Sequence, residues 1–154
     1  MVFSKMPLTK LQLHYFEYKL LRLETTFDKP LLFRLLPSRK KLLSKKMEVM
    51  ILGNGTTGSV ALVESHPDLV AVDLEDDSCI QYAYCPEENM IANAKKLALR
   101  VLHRMRGGMP SVEEIETTSV FRPFWVAYYG EVVPGNKVRY KTIAADGCSS
   151  QRSF

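Results

Sequence analysis

The sequence predicts an α+β fold, an antiparallel sheet of about five to seven strands with one main helix, residues 86–106, packed on it. Three observations carry that expectation. Apolar residues recur at spacings of three and four between 86 and 106. Alternating, β-branched and aromatic runs fill most of the remainder. Glycines, prolines and Asn-Gly or Asp-Gly pairs separate those runs.

The elements follow in chain order. Residues 11–27, LQLHYFEYKLLRLETTF, alternate loosely and predict a strand over about 12–26. Pro30 and Pro37 then break the chain around Leu31–Leu36, and a basic stretch follows from Ser38 to Lys46. Lys46–Leu52 reads as a strand that stops at Gly53. Asn54-Gly55 signals a tight hairpin, since both central positions of such a turn need positive φ. Ser59–Glu64 is the return strand, and Leu69–Leu74 and Cys79–Tyr84 are further strand candidates.

Pro86 opens the helix, because proline suits the first helical position and Glu87 and Glu88 favour the positive end of the helix dipole. Ile91, Ala94, Ala98, Val101, Leu102 and Met105 form its apolar face, and Gly107-Gly108 ends it. Val112–Gly130 is strand-favouring throughout, with Pro123 marking an edge, a bulge or a bend. Pro134-Gly-Asn136 supplies a turn, and Lys137–Ala144 is the partner strand.

The 154 residues read as a single domain. Two echoes suggest weakly similar halves, 11–64 and 86–147, with chance as the competing explanation. Leu13–Tyr18 lies over Phe121–Val126, and Met50–Gly55 over Thr142–Gly147. The helix-then-long-hairpin order of residues 86–145 also resembles in shape the half-unit of PepSY-type and cystatin-like domains, without a diagnostic motif.

Charge is unevenly spread. Residues 1–50 carry 11 Lys/Arg against 4 Asp/Glu, whereas the remaining 104 carry 10 against 13. The apolar run Phe124–Tyr129 is far shorter than the about 20 residues of a membrane span. The N-terminus lacks the apolar core of a signal peptide, and an odd count of three cysteines fits no paired framework. The expected location is therefore cytoplasmic, with no membrane partner.

Catalytic and cofactor signatures are not found. Gly53-Asn-Gly-Thr-Thr-Gly58 mimics a dinucleotide fingerprint, but a strand-like run follows it where a helix is required. Cys79 and Cys85 are spaced too widely for a zinc pair, and a set with Cys148 and His66 is contrived. Cys79 reads better as a small core residue and Cys85 as a residue at the helix start. Asp73, Glu75, Asp76 and Asp77 lack calcium-loop order and read as a solvated turn. No serine sits in a nucleophile elbow, and His14, His66 and His103 read as ordinary histidines. Glu114 and Glu116, alternating on a strand, are expected to share one solvated face. No catalytic residue, cofactor or metal is expected, and the chain reads as non-enzymatic.

Two features remain. Arg34, Arg39, Lys40, Lys41, Lys45 and Lys46 could bind a polyanion by releasing counterions from phosphates, with a solvated connection as the bland alternative. Phe121, Phe124, Trp125, Tyr128 and Tyr129, with Tyr140 across a hairpin, make a strand aromatic on both faces. One face must pack and the other is either covered or offers interface anchors. The expected function is a small soluble protein- or peptide-binding module, a homodimer acting through these aromatic strands. Nucleic-acid binding through 34–46 is the alternative.

Overall fold

The computed structural model describes residues 7–27, 45–73, 79–106, 110–131, 133–135 and 138–147. In chain order they form β1 (Leu8–Phe27), β2 (Lys45–Asn54), β3 (Val60–Val63), β4 (Ile80–Gln81), α1 (Glu87–Arg106), β5 (Ser111–Tyr129) and β6 (Arg139–Ala144). The expected class is what the fold shows, one six-stranded sheet with a helix packed on it. The strand order is β3-β2-β1-β5-β6, and β4 adds a two-residue parallel pairing to β1.

The long β1 is the axis of the sheet. β5 pairs with it antiparallel from Leu8 to Thr26, while β2 pairs only with Tyr18–Phe27 and β4 only with Tyr15 and Phe16. Residues 8–14 of β1 thus carry a strand on one side only among the described residues.

Strand alternation sends Leu21 and Leu23 to one face, where both are fully buried with Ile51 under Ala94 and Ala98 of α1. Two alanines one turn apart let the helix approach the sheet closely. Met90, Ala94, Ala98 and Leu102 are all buried, so the helix's inner face is centred on a row beginning at Met90, which the apolar pattern had left out. On the opposite face Tyr18, Leu20 and Val120 pack with Phe16, Leu52, Val63 and Phe124.

Several expected local features take other forms. The hairpin between β2 and β3 forms, but not through positive φ at Asn54 or Gly55; Gly58, at φ 70°, supplies it. Asn54 Oδ1 instead accepts from the N–H groups of Thr56 and Thr57, at 2.8 and 3.1 Å, which stabilises a longer loop. Residues 69–73 form no strand, and of Cys79–Tyr84 only Ile80–Gln81 pairs.

A bulge separates the Arg22–Glu116 pairing from the Leu23–Glu114 pairing, because β5 has one residue more than β1 there. Glu114 therefore shares the helix face with Leu23, where Thr117 Oγ1 donates to it at 2.6 Å, while Glu116 pairs with Arg22 on the other face. The expectation that Glu114 and Glu116 share a face does not hold.

Pro123 causes no break in β5. Its carbonyl accepts from Ala145, one residue past the end of β6, so its missing N–H falls where the β6 ladder has stopped. The edge reading of this proline is the one the fold shows.

Candidate binding surface

The helix starts halfway along the sheet, and polar contacts hold it there. Lys19 Nζ lies 3.0 Å from Glu17 Oε1 and 3.3 Å from Glu87 Oε2 at the first turn of α1. Ala83 N–H and Ser119 Oγ each donate to the Glu17 carboxylate at 2.8 Å. Burial pushes that carboxyl up, but these donors and Lys19 outweigh it and hold it below the usual range. Glu17 is thus a staple between β1, β5 and the segment leading into α1.

Beyond this junction the helix-side face continues without the helix. β1, β5 and β6 align there as Leu13–Trp125–Ile143 and Leu11–Ala127–Lys141. Leu11 is 55% exposed, Trp125 42% and Ile143 52%. Phe121 sits edge-on to Tyr82 at 6.0 Å between ring centres, and both are exposed. Half of one sheet face is thus core, and the other half carries exposed apolar side chains around a buried Ala127.

The expected partner-binding residues divide as the alternation requires. Phe121, Trp125 and Tyr129 fall on the helix-side face; Phe124, Tyr128 and Tyr140 fall on the opposite one. There Phe124 packs edge-on to Phe16 at 5.2 Å and stacks with Tyr18 at 6.4 Å. The Arg122 guanidinium lies 5.2 Å and 5.3 Å from the Tyr18 and Phe124 ring centres and makes two hydrogen bonds to Asp146. Tyr128 Oη lies 3.2 Å from His14 Nε2, and burial followed by Lys10 lowers the imidazole's pKa. Tyr140, across from Tyr128, is exposed.

Leu11, Leu13, Ile143 and Tyr82 belong to the open surface and were missing from the sequence reading. Alternation in Leu11-Gln-Leu13 could have marked the first two as sharing a face, but only the β1–β5 register puts them beside Trp125.

Of the six cations proposed for a polyanion, Arg34, Arg39, Lys40 and Lys41 lie outside the described residues. Lys45 is the first residue of β2. Lys46 is exposed and pairs with Glu24 at 2.8 Å, which raises its pKa.

Cys85 stands just before α1 as expected, against Gly58, and Cys148 lies outside the described residues. Cys79 is half-buried at the sheet margin, where Gln12 Nε2 donates to its Sγ, rather than a core residue. Among the described residues no group of three His, Cys, Asp or Glu could hold a metal, and no helix is long and apolar enough to cross a membrane. A cleft lined by Leu20, Arg22, Met50, His66, Leu69, Glu116 and Thr118 has a volume of about 90 Å³. A small-molecule site typically needs about 300–1,000 Å³.

No protein-family model, curated protein sequence or solved structure matches the chain.

Proposed function

We propose that this chain is a non-enzymatic module that binds a protein or peptide, and associates with itself, through the open half of its helix-side sheet face. The observation that supports this reading is the Leu13–Trp125–Ile143 row. It holds the chain's only tryptophan, partly exposed, on a surface that no described element covers. Tryptophan on a flat, rigid strand offers large contact area with little rotamer entropy to lose, which is how interface anchors gain affinity. The electrostatic nucleic-acid reading rests on residues 34–46, and the one described side chain among those six cations is already paired with Glu24.

Selection of displayed peptides against the folded chain tests the reading. Enriched peptides should bind the wild type and lose at least about tenfold in affinity on Trp125→Ala or Leu11→Asp. Peptides that bind all three chains equally would overturn it.

A further inference from the structure

The outer edge of β6 has a readable hydrogen-bonding pattern. Ala145 donates its N–H to Pro123 O, which fixes the phase of the β5–β6 ladder. Arg139, Lys141 and Ile143 therefore turn their N–H and C=O groups toward β5, and Tyr140, Thr142 and Ala144 turn theirs outward. No described strand pairs with that edge. Its helix-side face carries Ile143 followed by two exposed cations, Lys141 and Arg139, which make no ion pair among the described residues.

A segment of complementary character lies elsewhere on the chain. Asp68-Leu-Val-Ala-Val-Asp73 has strand-favouring composition yet forms no strand, and its backbone makes no hydrogen bond among the described residues. Leu69, Val70 and Val72 are 56%, 82% and 58% exposed. Apolar β-branched residues left in water with unpaired backbone describe a strand without a sheet. Leu69 lines one cleft with Leu20 and Met50, on the face opposite the helix and away from β6, so the sheet it could join belongs to another copy.

We infer that residues 68–73 of one copy add to the β6 edge of a second copy as an antiparallel strand. This rests on the proposed binding face and names its partner. The outward groups of β6 fix which residues can exchange hydrogen bonds, and one register sets Asp73 against Arg139 and Leu69 against Ile143. Val72 falls opposite Tyr140, Val70 opposite Thr142 and Asp68 opposite Ala144 as the hydrogen-bonded pairs. Between them Leu69 meets Ile143, Ala71 meets Lys141 and Asp73 meets Arg139. Leu69 then lengthens the Leu13–Trp125–Ile143 row by one residue. Edge cations repel most strands, so they select an acidic one. Main-chain pairing supplies the affinity, as in other strand additions.

Sedimentation velocity on the full chain from about 1 to 500 μM, the range of weak transient contacts, tests it. The mass should rise with concentration to a dimer or larger. Asp73→Arg and Arg139→Glu should each weaken association about tenfold or more, and circular dichroism should show both folded. Mixing the two variants, or combining both changes in one chain, should restore association. A wild type that stays monomeric, or single variants whose defect is not restored by mixing, would overturn the inference. A monomeric chain that still selects Trp125-dependent peptides overturns strand addition and self-association, and leaves the peptide-binding part of the face reading standing. Association rescued by the charge swap but indifferent to Trp125→Ala supports strand addition and overturns the face reading.

Discussion

The Lys19 ammonium and the Glu17 carboxylate lie 3.0 Å apart, two residues along one strand and on the same face. Their pairing sits where the covered half of the sheet meets the open half, so it fixes where the helix can begin.

That position makes stability depend on pH at both ends. Glu17 is held below its ordinary 4.5, so its contribution is complete above that value and is lost as the pH falls below it. Lys19, raised above 10.5 first by its hydrogen bond to Glu17, contributes fully below 10.5 and loses its share as the pH climbs from there through its raised folded-state value. Calorimetric melting from pH 6 to pH 3 should show Glu17→Gln less stable by about 1–3 kcal/mol at pH 6, with the gap closing toward pH 3. A constant gap would contradict this assignment.

Gly55 is packed on the same junction. Its N–H donates to Glu17 O, and its carbonyl accepts from Tyr84 and Cys85. A Cβ here would stand 2.4 Å from Glu17 O and 2.7 Å from Ala83 Cβ, so backbone would have to move. Gly55→Ala should cost about 1–3 kcal/mol in urea unfolding. Gly53→Ala should cost less, because the Met90 thioether it meets at 3.2 Å can swing aside.

Arg122 joins β5 to the turn after β6 by its two bonds to Asp146, at 2.7 and 3.1 Å, above the Tyr18 and Phe124 rings. Lysine has neither the planar fork nor the stacking surface. Arg122→Lys should therefore cost about 1–2 kcal/mol, and nearly as much as Arg122→Ala. Full retention of stability by the lysine variant would show the charge alone suffices.

Core and open face should separate by truncation. Leu23 is fully buried beneath α1, and Leu23→Ala should cost about 2–5 kcal/mol. Trp125→Ala removes a larger side chain but should cost less than half as much, since much of that ring already meets water. Equal costs in thermal unfolding would mean that Trp125 is core.

The sequence signals that survived were those decided locally. Pro86, the two glutamates and the three-four apolar spacing placed α1 within a residue, and alternation sorted Phe121, Trp125 and Tyr129 from Phe124 and Tyr128. What escaped depended on distant partners. Asn54-Gly55 looked like a two-residue turn, but the Asn54 side chain captures two amides and carries the positive φ on to Gly58. Glu114 and Glu116 separate because a bulge intervenes, which no alternation pattern announces. Residues 69–73 have strand composition without a strand to pair with. The open surface was half legible: Trp125 was evident, but which half of the sheet the helix covers is set by Lys19, Glu87 and Glu17 across long separations.

The emission of Trp125, the single tryptophan, reads the open face directly. In dilute chain the open-face geometry predicts red-shifted emission readily quenched by acrylamide, moving to the blue with several-fold weaker quenching when a selected peptide saturates the chain. Blue, poorly quenched emission in the dilute chain, or emission unchanged at peptide saturation, would contradict it.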